Sequence, residues 1–112
     1  MRRGEAAERL AERHLRAHGL VLRERNYRSP HGEIDLIMRD GETLVFVEVR
    51  QRSNPRFGSG VDSIDGRKQR RLRLTAEHYL QRQRSVPACR FDVVSLNGEG
   101  DIHWIPGAFD AE

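Results

Sequence analysis

Apolar positions in this chain repeat with two different periods, and the places where the period changes mark its elements. Over residues 4–18 alanine and leucine dominate, with Ala7, Leu10 and Ala11 at helical spacing and Gly19 as a natural stop. Leu20-Val21-Leu22 leads through residues 23–28 into a first strand, and Ser29-Pro30-His31-Gly32 reads as a turn. Residues 32–37 and 45–50 then read as the two strands of a hairpin. Residues 51–60, with Asn54-Pro55 and Gly58-Ser59-Gly60, read as a flexible loop. A second helix is predicted from Asp62 or Ser63 to Arg84, although Gly66 weakens its first turn. Its buried stripe is Leu72, Ala76, Tyr79 and Leu80, lengthened by one turn at Gln69, and Val86-Pro87 ends it. Residues 90–96 form a strand, Asn97-Gly98-Glu99-Gly100 a turn and residues 102–105 a short last strand, with a loose tail after Pro106. The order α-β-β-β-α-β-β predicts an α/β sheet with helices packed against it. No repeat and no long linker divides residues 1–112, so one domain is expected.

The hairpin carries acids where core belongs. Gly32-Glu33-Ile34-Asp35-Leu36-Ile37 and Val45-Phe46-Val47-Glu48-Val49-Arg50 are otherwise mostly apolar. A carboxylate in such a strand costs several kcal/mol unless it is paired or binds a cation. Asp40-Gly41 is a two-residue turn signal, because a type I′ turn needs positive φ at both central positions. With those two as the turn, Arg39 opposes Glu42, Asp35 opposes Phe46 and Glu33 opposes Glu48. Side chains alternate, so Glu33, Asp35, Phe46, Glu48 and Arg50 share one face. Asp35 and Glu48 become diagonal neighbours with Cα atoms about 7–8 Å apart, a spacing that suits two carboxylates on one hard divalent ion. The competing arrangement is a pair of surface carboxylates facing arginines.

Composition narrows the chemistry. The 112 residues are 37% hydrophobic and 33% charged, which predicts a thin core and a heavily solvated surface. No stretch approaches a membrane span, and the N-terminus lacks the apolar core of a signal peptide. A single Cys89 excludes an intrachain disulfide framework and a CxxC zinc site, and reads as a packing residue. These features together predict a cytoplasmic protein. The net charge is +3, Lys68 is the sole lysine, and residues 67–84 carry seven cations against the one acid Glu77. Arginine forks match phosphate geometry, so this stripe favours a polyanion. Set against it is the reading of a solvated helix face.

Taken in order, the hairpin motifs, Phe57-Gly58, Lys68-Gln69 and Arg90-Phe91-Asp92-Val93-Val94 resemble the YraN-like family of small bacterial proteins. That family is related to archaeal Holliday-junction resolvases and to the PD-(D/E)xK nuclease superfamily. The resemblance runs from Gly4-Glu5 to about Val94. It implies a restriction-endonuclease-like αβββαβ core, a mixed central sheet flanked by helices. It further implies that Asp35 and Glu48 bind magnesium or manganese, that Glu5 completes the metal site from the first helix, and that Gln69 faces the same cleft. Arg50 stands at the place of the superfamily lysine. Arginine stays protonated, so Arg50 is no general base; it can orient water or neutralise the phosphate, and water activation would fall to the metal.

The expected activity is therefore metal-dependent hydrolysis of phosphodiesters in structured or branched DNA. Arg52, Arg56, Arg67, Lys68, Arg70 and Arg71 would grip flanking phosphates. Two symmetric nicks would require a homodimer, which relatives suggest. The alternative is a non-catalytic nucleic-acid-binding or adaptor protein that keeps the fold. Glu33 matches the family motif and reads otherwise as a partner for Arg50 or Arg28. His14 and His18 share a helix face without a third ligand and read as a solvated pair; Trp104 reads as a core plug.

Overall fold

Ala7, Ala11 and Leu15 recur every four residues, and all three are buried. They lie on the first of the elements seen in the computed structural model, which describes residues 4–52 and 64–110, less the side chain of Arg52. The order is α1 (Glu5–Ala17), β1 (Val21–Ser29), β2 (Gly32–Asp40), β3 (Thr43–Arg52), α2 (Gly66–Leu80), β4 (Cys89–Asn97) and β5 (Ile102–Phe109). These strands form a single sheet in the order β1-β2-β3-β4-β5. Neighbours are antiparallel except β3 and β4, which run parallel from Leu44↔Cys89 to Arg52↔Asn97. A parallel pair needs a crossover connection, and α2 lies on it. The result is the mixed α/β sheet with flanking helices that the element order predicts, and it is compatible with the restriction-endonuclease-like core that the resemblance implies.

Strand alternation sorts the apolar residues onto two faces. Leu36, Met38, Val45, Val47, Val94 and Leu96 pack with α1. Ile37, Leu44, Phe46, Phe91 and Val93 pack with Leu72, Ala76 and Tyr79 of α2. Each helix thus covers one face of the sheet. The α1 side is further tied to β1 by Glu12, which is buried and takes hydrogen bonds from Arg25 Nε at 2.6 Å and Nη2 at 3.0 Å. Those bonds hold the Glu12 carboxyl below the usual range, against the upward push of burial.

Three boundaries differ from expectation. Asp65 is extended and caps α2, its side chain accepting from the Lys68 N–H at 2.9 Å, so the helix begins at Gly66 and not at residue 62 or 63. It also ends at Leu80, short of Arg84. Thr75, absent from the expected stripe, is fully buried; its hydroxyl donates to the Arg71 carbonyl and so needs no solvent.

Residues 107–109, expected to be part of a loose tail, continue strand β5. Phe109 stacks on Phe91 at 4.8 Å between centroids, and Arg73 lies over its outer face at 5.6 Å. The Gly107 N–H donates to Asp92. Phe109→Ala is accordingly expected to lower stability by about 1–2 kcal/mol, less than for a fully buried phenylalanine, as read by urea unfolding. No change would mean that the stack contributes nothing.

Candidate metal and phosphodiester site

The β2–β3 hairpin sets the site, and its register is shifted by two residues from the predicted one. Asp40 pairs with Thr43, so Gly41 and Glu42 are the central turn residues. Gly41 has φ 62, whereas neither Asp40 nor Glu42 has positive φ. The turn therefore has its glycine at the first central position, as in the II′ class, and the I′ reading of Asp40-Gly41 fails. A shift of two preserves the faces, because side chains alternate with period two. Asp35 moves from a diagonal to a level position against Glu48, and the pairing of Glu33 with Glu48 is lost.

The ladder ends at Leu36↔Val47. Just beyond, Asp35 Oδ2 accepts the Val49 N–H at 2.8 Å, in place of a strand-to-strand bond. Ile34 then packs in the same cluster as Ile37, three residues away, so the alternation slips at Asp35. This irregularity opens the end of the hairpin into a cleft of about 270 Å³ lined by Glu33, Asp35, Glu48, Lys68, Arg71 and Leu72, with Gly32 at its rim. Gly32 has φ 152, and a Cβ there would stand 3.5 Å from Thr75 Oγ1. The backbone conformation, more than the space, calls for glycine where β2 starts against α2.

Two carboxylates of opposite strands thus meet in one concavity. Burial, then the charge of Glu48, pushes Asp35 up to about 8, while the Val49 bond pulls the other way. Smaller upward pushes come from Glu8 and Glu33. Glu48 is 8% exposed, and its Oε1 lies 2.8 Å from Lys68 Nζ and 3.9 Å from Arg50 Nη1. Glu33 pairs with Arg28 at 3.7 Å, the partner considered from sequence.

The helical residues differ from the sequence expectation. Glu5 pairs with Arg9 at 3.2 Å, and the α1 carboxylate whose charge reaches Asp35 is Glu8, which also accepts from Asn26 at 2.9 Å. Gln69 uses both ends of its amide on its own side of the helix, donating to the Ile64 carbonyl and accepting from Arg73. The α2 face that lines the cleft carries Lys68, Arg71 and Leu72. Arg67 and Arg70 are exposed on the same helix. Arg56 and the 53–63 segment, with Phe57-Gly58, lie outside the described residues, as does the side chain of Arg52. What sequence reading missed was Glu8 and the position of Lys68; the lone lysine among arginines was the available signal.

The donor set suits a hard cation that keeps much of its own water. Among the described residues no group of three or more His, Cys, Asp and Glu forms a ready metal cage. Magnesium is characteristically held by one or two carboxylates plus water and substrate phosphate. Asp35 and Glu48 supply that minimum, and burial first, then the neighbouring charge of Glu48, raises the proton affinity of Asp35.

Elsewhere, Trp104 donates to buried Asp92 at 2.9 Å and packs edge-on against His14 and His18, whose rings lie 4.6 Å apart. Tyr27 is bonded to His78 Nδ1 and packs edge-on against Tyr79. Cys89 is half-buried beside the α2 cluster. No described helix is long and apolar enough to cross a membrane.

Residues 7–96 match the uncharacterised protein family UPF0102. A UPF0102 protein of Nitrosospira multiformis is 59% identical over 110 residues, covering 96% of this chain and 92% of the relative. One from Methylobacillus flagellatus is 53% identical, covering 96% of each chain. Another, from Shewanella frigidimarina, is 46% identical over 109 residues, covering 97% of this chain and all of the relative. With the fold, the hairpin motifs and these matches in agreement, the chain belongs to the UPF0102 family, the YraN-like family.

Proposed function

We propose that this protein is a metal-dependent nuclease that hydrolyses phosphodiester bonds in structured or branched DNA in the cytoplasm. The observation that carries the reading is the convergence of Asp35 and Glu48 in a cleft whose other wall is cationic. Carboxylates alone would repel a phosphodiester. Lys68 and Arg71 at the rim, with Arg67 and Arg70 beside them on α2, supply the attraction.

Asp35 and Glu48 would hold magnesium or manganese, and the ion when bound supplies charge neutralisation and Lewis-acid activation of water. Val49 fixes the Asp35 carboxylate through its N–H, so the ligand is oriented before substrate arrives. Arg50, fixed near Glu48, provides a cationic fork for the phosphate and no proton acceptor. Among the described residues lining the cleft none is placed to read base edges in a groove, which favours selectivity for nucleic-acid shape. One small site cuts one strand, and paired nicks would take a homodimer.

The test is incubation of purified protein with junction, flap, single-stranded and duplex DNA in magnesium or manganese, beside Glu48→Ala. Cleavage by wild type, its loss in the variant, and a metal-induced rise in melting temperature confined to wild type are expected. Binding without cleavage in every condition would favour the second reading, a DNA-binding protein that retains the fold, to which Arg50 in the lysine position lends support.

A further inference from the structure

Lys68 occupies an unusual place. It lies in the first turn of α2, a turn with no acidic residue, where the partial positive charge of the helix terminus disfavours a cation. Asp65 offsets part of this by capping the Lys68 N–H. The ammonium nevertheless points into the acidic cleft and sits 2.8 Å from Glu48 Oε1, closer than Arg50 at 3.9 Å. Its side chain is 29% exposed, and that of Glu48 is 8% exposed. Every other basic residue of the chain bar the histidines is arginine, whose broad planar fork cannot act as a compact point charge.

A compact ammonium against one carboxylate of a pair is the electrostatic stand-in for a small cation. Two positive groups cannot share Glu48 at short range without repulsion, and the lysine stem is flexible enough to swing away. It shares the cleft lining with Arg71, one turn further along the same helix, so a swung ammonium stays beside a second cation suited to a phosphate. We propose that Lys68 is the resident cation of the Glu48 carboxylate, displaced by an incoming divalent ion and turned by that exchange onto the phosphodiester as a positioning residue. The inference rests on the nuclease reading and deepens it. Metal loading and phosphate capture become one linked event: the site grips a phosphate with its lysine only once the ion is in place.

The experiment uses the fact that Lys68 is the sole lysine. Its acylation by an amine-reactive ester is followed by mass spectrometry in wild-type protein with and without magnesium or manganese, the α-amine serving as reference. A severalfold faster modification of Lys68 at saturating ion is expected, since the ammonium leaves its buried partner. In parallel, calorimetric titration with manganese is expected to give at least fivefold tighter binding to Lys68→Met than to wild type, because no resident charge has to be expelled. Lys68→Arg restores the charge and is expected to lose that gain. The Lys68→Met variant should nonetheless cleave DNA at least tenfold more slowly. A purely structural lysine would give weaker or unchanged ion binding and a constant acylation rate, and either result in a protein that binds the ion overturns the proposal while leaving the nuclease reading intact. Failure of wild type to bind either ion removes that reading, and this inference with it.

Discussion

Asp35→Asn is expected to make the metal-free protein more stable near pH 7 and to abolish its nuclease activity. The sign follows from proton linkage. Asp35 is pushed up to about 8 in the folded state by burial and by Glu48, from an ordinary 3.8. Between those values the folded protein keeps a proton that the unfolded chain has released, so the contribution of this group is full below about pH 4 and is lost as pH climbs towards 8. At roughly 1.4 kcal/mol per pKa unit, the accumulated cost near pH 7 is of order 2–4 kcal/mol. Asparagine is neutral throughout, has nearly the same shape, and still offers an oxygen to the Val49 N–H. The variant should melt roughly 10 °C higher near pH 7, and its melting temperature should vary less than that of wild type from about pH 5 to 8. Thermal melts across this range, with cleavage assays alongside, read both effects. A variant that melts lower, or that cleaves as well as wild type, would sink the account. Ion binding also competes with the proton on Asp35, so affinity for magnesium should rise with pH up to about 8.

Asp92→Ala has the opposite sign and comparable size. Asp92 is fully buried on β4 yet saturated: it accepts from Arg90 Nε at 3.0 Å, Trp104 Nε1 at 2.9 Å and the Gly107 N–H at 2.9 Å. One carboxylate thereby joins β4 to two points of β5, and through Arg90 to Asp40 at the end of β2, 2.9 Å away. Alanine leaves an indole N–H and a backbone N–H without their acceptor and takes from the Arg90 guanidinium its buried partner, leaving it only Asp40 at the edge. Removing one partner of a buried charged network typically costs about 3–5 kcal/mol. A fall of roughly 15 °C in melting temperature is expected, with the loss confirmed by urea unfolding. Asparagine keeps one acceptor but presents an NH2 group to donors, so Asp92→Asn should fall between wild type and Ala. A loss under about 1 kcal/mol for Asp92→Ala would show that the three donors are satisfied some other way.

The two aspartates make a useful contrast. Both sit in strands of largely apolar residues, Asp35 on β2 and Asp92 on β4. Asp92 has cationic and N–H donors arranged around it and acts as a structural tie. Asp35 accepts the Val49 N–H, and burial first, then the charges of Glu48, Glu8 and Glu33, raises its proton affinity. A paired acid stabilises the fold, whereas crowded acids mark a place that needs an outside cation.

The amino-acid sequence by itself determined the element order, the alternation that puts Asp35 and Glu48 on one side of the hairpin, and the cationic character of α2. These depend on local rules: period two in strands, period 3.6 in helices, and turn residues between them. The hairpin register was misjudged because two adjacent turn choices differ only in which residues take positive φ, and Gly41 satisfies either. Parity preserved the faces along the paired part of the hairpin, since a shift of two leaves each side chain there on its side, although the alternation slips just beyond it at Asp35. Only the tertiary structure decided that the charge of Glu8 reaches Asp35, that Lys68 lines the cleft against Glu48, and that the C-terminal strand is pinned through Asp92 and Phe91. Each of these depends on the rotation of a helix, or the reach of a strand, relative to residues distant in the chain. Helical spacing leaves neighbouring positions almost equally placed until packing against the sheet chooses between them.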